Sequence, residues 1–317
     1  MTDTQNEVFK TPVNKIRLFE HGAPGSQNLK LTRKYYTEDM PDGRVKHIVQ
    51  NITDPDIVPY MPDGIGNSTD RQRIPAVLII PGGAFRRLVY NFEGEDVAKW
   101  LNSMGIAAFV LECRLPSDEH DNAEDVPLID AMRAMRVIRG RAQEFGIDEA
   151  KIGVMGFSAG GFMAALLSTA YESDVYADYK YKDEYDKLSA RPDFAVCSYP
   201  VISIDDCIEA GKRYMSEEQV LERISDSKAK ILHKYNPDKL VRPDMPPVFI
   251  CETDDDRTTL SENSVGFYMA ARKAGVSAEL HIFRTGGHGY GCGDDFAQTG
   301  EWKVLFTKWI KSIGILS

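Results

Sequence analysis

Residues 151–168 read KIGVMGFSAGGFMAALLS and contain the motif from which the fold can be recognised. An apolar segment typical of a buried strand enters Gly156-Phe157-Ser158-Ala159-Gly160, and a segment typical of an apolar helix follows it. A G-x-S-x-G pentapeptide in this setting presents a serine on a sharp turn, where small neighbours let strand and helix approach closely. An ordinary glycine-rich turn is the alternative. The strand-to-helix setting favours Ser158 as a nucleophile.

Short apolar runs alternate with longer amphipathic segments on both sides of this stretch, a pattern typical of a parallel sheet covered by helices. The predicted buried strands are Ala76–Ile80, Ala107–Leu111, Lys151–Met155, Phe194–Ser198, Pro247–Cys251 and Ala278–Phe283, preceded by antiparallel edge strands at Val45–Ile52 and Ile57–Tyr60. The predicted helices are Glu95–Met104, Leu128–Phe145, Ala159–Ala170, Ser261–Ala274 and Glu301–Ile313. The predicted fold class is therefore α/β, with a mostly parallel central sheet flanked by helices.

The length and the pattern together predict one α/β domain over residues 1–317. Residues 1–75 would form the N-terminal edge strands and an extension. After the sixth predicted strand, residues 203–244 contain a long polar helical segment, Asp205–Leu240, that the sheet does not need. It is placed where a cap over an active site could be inserted, and a surface excursion is the alternative.

Composition excludes several classes of partner. The net charge of −10 speaks against nucleic acid and against an anionic membrane surface, because both need basic patches. The first residues, MTDTQNEVFK, show no secretory signal, and the apolar runs are too short to span a bilayer. The five cysteines are scattered without a CxxC pair, which predicts neither disulfides nor a zinc site. We expect a cytoplasmic protein.

A glycine-rich turn, Pro81-Gly82-Gly83-Ala84-Phe85, follows the strand Ala76–Ile80. Hydrolysis of an ester passes through an oxyanion, which backbone N–H groups stabilise. A plain Pro-Gly turn is the alternative, but this loop is where hydrolases with a G-x-S-x-G turn place an HGGG-type motif. We therefore predict that Gly83 or Ala84, together with Ala159, donates the amides of the oxyanion hole.

The chain offers six histidines as the base, and their order selects one of them. In hydrolases of this architecture the nucleophile comes first, then the acid, then the histidine. His288 lies in GGHGYG, beyond the strand Ala278–Phe283, in a loop that can bring an imidazole to the serine. His281 lies within that strand and His233 lies in the polar excursion, so we expect neither to be catalytic.

The acid is expected after the strand Pro247–Cys251, where the chain reads ETDDDR from residue 252 to residue 257. A carboxylate there would fix the imidazole tautomer and stabilise the imidazolium. Spacing does not choose among the three adjacent aspartates. Asp205 or Asp206, after the preceding strand, is a more distant alternative.

With these segments in place, the chain resembles the esterase and acetylxylan-esterase-like branch of the α/β hydrolases, the BD-FAE type. The matching stretches run from about Ile16 to the C-terminus, and AVLIIPGGAF, KIGVMGFSAGG and GGHGYG are among them. The resemblance implies that Asp256 is the acid. The family's run leads from this aspartate toward a proline, whereas here Thr258-Thr259-Leu260 follows, which keeps Asp255 as a second choice.

The resemblance also implies the reaction: a serine carboxylesterase that hydrolyses short acyl esters, typically acetyl groups on sugars or xylo-oligosaccharides. Its triad would be Ser158, His288 and Asp256, and no cofactor and no metal would be needed. The expected partner is a small-molecule ester, not nucleic acid or a membrane, and a homo-oligomer is left open. A peptidase or amidase with the same triad, and a non-catalytic binding protein of the same fold, are the alternatives.

Overall fold

The computed structural model describes residues 9, 13–64, 73–213, 215–216, 218–220, 227–293 and 297–316. Within helices, the description does not include the side chains of residues 207, 210 and 227–229, and Cys207 is one of them. The predicted excursion, residues 203–244, is described only in part.

Eleven strands in the described residues form two sheets. In chain order they are β1 (Ile16–Arg17), β2 (Lys34–Asp39), β3 (Val45–Gln50), β4 (Asp56–Tyr60), β5 (Ile74–Ile80), β6 (Leu88–Val89), β7 (Ala107–Glu112), β8 (Ile147–Phe157), β9 (Ala195–Ser198), β10 (Val248–Thr253) and β11 (Ala278–Phe283). The main sheet has the order β1-β4-β7-β5-β8-β9-β10-β11. Within this order, the six neighbouring strands β7-β5-β8-β9-β10-β11 pair in parallel, and β4 pairs with β7 in antiparallel orientation.

The central strands are buried over most of their length, although β8 is exposed at Glu149 and Ala150. All residues of β7, β9 and β10 are buried, and in β5 only Ile74 is partly exposed. Continuous burial requires that both faces of the sheet be covered, which explains why these segments read as unbroken apolar runs. The predicted α/β class, a mostly parallel sheet flanked by helices, is confirmed.

The helices fall close to their predicted positions, with one interruption. They are α1 (Asp96–Ser103), α2 (Val126–Gly140), α3 (Ala142–Phe145), α4 (Ala159–Ala170), α5 (Ile204–Lys212), α6 (Ser227–Lys234), α7 (Ser261–Lys273) and α8 (Glu301–Ser312). The predicted helix Leu128–Phe145 is wrong as a single element, because Arg141 leaves helical backbone angles and separates α2 from α3. The apolar pattern crosses this break because Ala142 is buried as well.

One predicted edge strand belongs elsewhere. The segment Val45–Ile52 is predicted as an antiparallel edge strand leading into the main sheet, but β3 pairs with β2 and β6 in a separate antiparallel sheet. The place next to β7 at this edge of the main sheet is taken by β4. The backbone of β3 is instead hydrogen-bonded to Lys34–Asp39 and Leu88–Val89.

The polar segment Asp205–Leu240 is not one continuous helix. Its described parts are α5, α6 and a short 3₁₀ turn at Pro237–Lys239. Lys234 and Tyr235, at the end of α6, both bond to the Asp125 carboxylate, which lies just before α2. This contact fixes one end of the excursion to the loop after β7, and its role as a cap stays a prediction.

Parallel strands bring their carboxyl ends to one edge of the sheet. The loops after β5, β8, β10 and β11 therefore converge there, and they carry the glycine-rich turn, Ser158, the aspartate cluster and His288. In the described parts of the chain, no helix combines the length and the apolar character that a membrane crossing requires.

Candidate active site

Ser158 lies on a tight turn between β8 and α4. Its backbone adopts φ 54° and ψ −118°, a region that side-chain-bearing residues rarely occupy. A Cβ on Gly156 would overlap the carbonyl of Gly160, and a Cβ on Gly160 would overlap the carbonyl of Ile80. Glycine is therefore required on both sides of the serine. The amide of Ser158 donates to the Ser198 carbonyl (3.0 Å), which holds the turn against β9.

A chain of hydrogen bonds joins three side chains from different loops. The Ser158 Oγ lies 2.8 Å from Nε2 of His288, and Nδ1 of the same ring lies 2.6 Å from Oδ2 of Asp256. Because the carboxylate can only accept, the network assigns the ring proton to Nδ1 and leaves Nε2 to accept from the serine hydroxyl. The structure therefore brings together Ser158, His288 and Asp256.

The Asp256 carboxylate is buried, and its oxygens accept several hydrogen bonds. Oδ1 accepts from the amides of Thr258 (2.7 Å) and Thr259 (2.9 Å), and Oδ2 accepts from the Thr259 hydroxyl (3.0 Å) as well as from His288. Burial alone would raise the pKa of Asp256. The hydrogen bond and charge of His288 and the two amides outweigh it, so the pKa is lowered and the carboxylate is ionised at neutral pH.

The other candidate acids form different contacts or lie elsewhere in the fold. Asp255 accepts hydrogen bonds from the amides of Gly286 (2.9 Å) and Gly287 (2.8 Å), so it holds the loop that carries His288 and not the imidazole itself. The Thr253 hydroxyl reinforces this attachment by donating to the Gly287 carbonyl (2.9 Å). Asp205 and Asp206 lie in the first turn of α5.

The loop after β5 has the backbone conformations that an oxyanion loop needs. Gly83 has φ 142°, where a Cβ would overlap the Arg87 carbonyl, and Ala84 and Phe85 have φ 56° and 59°. The Gly82 amide is already bonded to Glu93 (2.8 Å). Among the hydrogen bonds of the described residues, none uses the amides of Gly83, Ala84 or Ala159 as donor. These three amides are thus available to an oxyanion beside Ser158.

A small, largely apolar cavity of about 10 Å³, roughly the space of one water molecule, lies next to this loop. Gly83, Ala159 and Gly160 form the wall that it shares with the nucleophile turn. The remaining wall is built from apolar side chains and the aliphatic parts of longer ones, among them Phe85, Leu88, Cys113, Leu115, Pro116, Pro127 and Met163. Arg87 and Arg114 also line it, and their guanidinium groups are paired with Glu38 and Asp130. Such a space suits a small hydrophobic group.

Three residues near the site escaped the sequence analysis. Thr259 touches both Asp256 and Nδ1 of His288 (3.2 Å), and the departure of the run Thr258-Thr259-Leu260 from the family's proline was the signal for it. Glu93 and Tyr199 are buried beneath the oxyanion loop and the His288 loop. No periodicity or motif marks a single buried carboxylate or phenol, so nothing in the sequence singled them out.

Three of the other five histidines have other surroundings. His281 bonds to Glu279 (2.7 Å) within β11, and His233 is exposed. His120 is buried against Ser26 (3.1 Å), and this burial, followed by the charge of Arg114, lowers the pKa of His120 to about 4. Within the described ranges, no group of three or more His, Cys, Asp or Glu side chains could hold a metal ion.

Comparison with known proteins places this geometry in context. The sequence profile of the BD-FAE family matches residues 63–270. An acetylxylan esterase of Xylanibacter ruminicola is 31% identical over 240 residues, which cover 75% of this chain and 45% of that protein. Endo-1,4-beta-xylanase B of Butyrivibrio fibrisolvens is 31% identical over 220 residues, 69% of this chain and 33% of that protein. The chain thus spans half or less of the length of these two curated relatives.

The crystal structure of an acetyl ester-xyloside bifunctional hydrolase from Caldicellulosiruptor lactoaceticus has a closely similar fold. It superposes with a TM-score of 0.72 at 34% identity, covering 96% of this chain and 98% of that one. The expected α/β-hydrolase fold is thereby confirmed.

Proposed function

The chain belongs to the BD-FAE family of α/β-hydrolase esterases, and from this premise we propose that it is a serine carboxylesterase that removes short acyl groups, acetyl foremost, from carbohydrate such as xylo-oligosaccharides. The observation that carries the proposal is the continuous hydrogen-bonded chain Ser158–His288–Asp256. It joins a nucleophile, a base and an orienting carboxylate in the order that acyl transfer requires.

In the first half of the reaction, Nε2 of His288 takes the hydroxyl proton while Oγ of Ser158 attacks the ester carbonyl. The amide of Ala159 and those of Gly83 or Ala84 donate to the oxyanion that forms, and Asp256 stabilises the imidazolium. The imidazolium then protonates the departing sugar oxygen. An acyl group remains on Ser158, and the deacylated sugar hydroxyl is the first product.

The second half repeats these steps with water. His288 removes a proton from a water molecule that attacks the acyl carbonyl, and the same amides bind the second oxyanion. Collapse of the tetrahedral species returns the proton to Oγ of Ser158 and releases the short carboxylic acid. Each proton moves between the imidazole and an oxygen, so this chemistry balances without a cofactor.

The preference for a short acyl group is supported by the cavity beside Gly83 and Ala159. Its largely apolar wall and its volume of about 10 Å³ favour a group no larger than a methyl next to the oxyanion amides. The carbohydrate part of the proposal is supported by the relatives, whose names refer to acetylxylan, to a xylanase, and to acetyl ester and xyloside hydrolysis.

The test of the serine mechanism is Ser158→Ala. We expect turnover of p-nitrophenyl acetate to fall by about 10⁴-fold or more, because the nucleophile is removed while binding and the oxyanion donors remain. Labelling by a fluorophosphonate probe should be lost in the same variant. Retained turnover or retained labelling would remove Ser158 from the mechanism.

The substrate class needs a separate test. Acetylated xylo-oligosaccharides should release acetate, and among p-nitrophenyl esters kcat/KM should decline as the acyl chain lengthens beyond propionyl. Equal or higher kcat/KM for octanoyl esters would contradict the short-acyl assignment. Release of acetate from p-nitrophenyl acetate but from no acetylated sugar would contradict the carbohydrate assignment.

A further inference from the structure

Glu93 is a buried carboxylate that the proposed reaction does not use. It lies in a single π-helical turn, Asn91–Glu95, directly after β6, and the residue is only 5% exposed. Oε2 accepts the amide hydrogen of Gly82 (2.8 Å) in the oxyanion loop, and Oε1 accepts the hydroxyl hydrogen of Tyr199 (2.9 Å). Both oxygens are therefore engaged, one of them by the loop that holds the oxyanion donors.

Tyr199 continues this connection to the loop of the base. Its hydroxyl oxygen accepts the amide hydrogen of Gly291 (3.0 Å), three residues after His288. Its ring lies edge-on to the imidazole, with ring centroids 5.0 Å apart. The residue itself has φ 38°, an unfavourable conformation for a tyrosine, and it is fully buried. Strain of this kind persists only where surrounding contacts determine the position of the side chain.

We propose that Glu93 is a positioning residue that acts through Tyr199, fixing the oxyanion loop and the His288 loop relative to each other. The inference rests on the proposed function of Ser158. Gly82 lies between Glu93 and the nucleophile. A Cβ built on Gly82 would lie 2.7 Å from Oε2 of Glu93 and 2.9 Å from Cβ of Ser158. Donors and base thus share one buried support.

The hydrogen bonds to Gly82 and Tyr199 explain why residue 93 carries a carboxylate. Burial raises the pKa of Glu93, and the charge of His288, the Tyr199 hydroxyl, the Gly82 amide and the charge of Lys46 oppose this. A buried carboxylate is costly unless its oxygens are paired. Losing it would leave the donors of Gly82 and Tyr199 unsatisfied beneath the active site.

The experiment compares four variants on p-nitrophenyl acetate: Glu93→Ala, Glu93→Gln, Tyr199→Phe and Tyr90→Phe. Tyr90→Phe is the matched control, since it removes another buried phenol hydroxyl from the residue before the same turn, and within the described ranges this hydroxyl bonds only to Tyr60 (3.0 Å). Melting temperatures would be measured for all four variants.

Glu93→Ala should lower kcat by about 10²-fold, because a displacement of about 1 Å in catalytic geometry has an effect of that size. KM should stay within about threefold, since oxyanion donors and base act in the transition state and not in ground-state binding. Tyr199→Phe should lower kcat by about tenfold or more, because it removes the acceptor of Gly291.

Glu93→Gln should restore most of kcat. Its amide oxygen can accept from Gly82, and its NH₂ group can donate to the Tyr199 oxygen, which retains a lone pair for Gly291. Tyr90→Phe should leave kcat and KM unchanged. Wild-type kcat in Tyr199→Phe, an equal loss in Tyr90→Phe, or an effect on KM alone would overturn the proposal. Should Glu93→Ala not fold, Tyr199→Phe against Tyr90→Phe decides it.

The two hypotheses fail in different ways. If Ser158→Ala retains turnover, the proposed function fails, and the positioning role falls with it. If activity depends fully on Ser158 but Tyr199→Phe has the kcat of the unsubstituted chain, only the positioning role is overturned.

Discussion

Asp255 and Asp256 are adjacent carboxylates with different contacts. Asp256 faces the imidazole and the amides of Thr258 and Thr259, whereas Asp255 faces the amides of Gly286 and Gly287. One carboxylate orients the base directly, and the other holds the loop on which the base is mounted. Because the two contacts differ in kind, the two residues should respond differently to the same substitution.

Asp256→Asn should lower kcat by about 10⁴-fold, because the amide cannot enforce the tautomer in which Nε2 accepts the serine proton. Asp255→Asn is the matched control. It keeps an oxygen for the amides of Gly286 and Gly287, so kcat should stay close to that of the unsubstituted chain. Steady-state kinetics with p-nitrophenyl acetate measure both. The reverse order of effects would make Asp255 the acid.

How far single residues could be predicted depends on whether a motif surrounds them. Ser158 and His288 stand in glycine-rich loops at the ends of predicted strands, and the chain order selects His288 from six histidines. The choice between Asp255 and Asp256 depends on about one residue of loop geometry, which spacing does not contain. Glu93 and Tyr199 lie outside any motif, because their importance arises only when distant loops meet.

At the scale of elements, the turn from β8 into α4 depends on backbone clearance. Gly160 packs against the carbonyls of Ile80 and Pro81, so the helix that follows Ser158 starts directly on β5. By contrast, Gly266 lies on the exposed face of α7 with open space around its Cα hydrogens. The same chemical change at these two glycines should therefore have opposite effects on stability.

Gly160→Ala should lower the free energy of unfolding by about 3 kcal/mol, because the new methyl group forces β5 and α4 apart. Gly266→Ala should raise it by about 0.5–1 kcal/mol, since alanine is the better helix former and meets no neighbour. Urea denaturation with equal m-values measures both changes. A neutral Gly160→Ala would show that the turn tolerates a wider separation.

The elements themselves were predictable where burial is complete. All six predicted core strands coincide with observed strands. In β7, β9 and β10 the reason is complete burial, which makes a strand an unbroken apolar run, whereas β11 is only partly buried. The small sheet was not predictable in the same way. Its strand β2, KYYTED, is half-buried and has no continuous apolar run, so the segment resembles a loop in sequence. Likewise, the break at Arg141 leaves no gap in the apolar pattern.

At the scale of the whole molecule, buried charge makes stability depend on pH. Asp118 lies in the turn Pro116–Asp118 after β7, and its Oδ2 has no hydrogen-bond partner among the described residues. Partial burial raises the pKa of Asp118 from 3.8 to about 6. The folded chain therefore takes up this proton more readily than the unfolded chain. The ionised form opposes folding above pH 6, and that effect is lost as the pH falls from 6 to below 3.8.

Asp118→Asn should thus raise the free energy of unfolding at pH 7.5 by on the order of 1 kcal/mol, a value reduced for the partial exposure of the carboxylate. At about pH 3, below both pKa values, the two proteins should be equally stable, since Asp118 is then neutral in the folded and the unfolded chain alike. Denaturation of both proteins at each pH measures the difference between their free energies of unfolding. The contributions of other titrating groups are the same in both proteins and cancel in this difference. A stabilisation of equal size at both pH values would contradict the assigned pKa.

The backbone angles of Ser158 carry an evolutionary consequence. A glycine would adopt φ 54° and ψ −118° with less strain, so selection for thermal robustness alone would favour replacing the serine. A reactive hydroxyl at that position is therefore a trade-off, in which the lineage accepts a weaker fold in return for turnover.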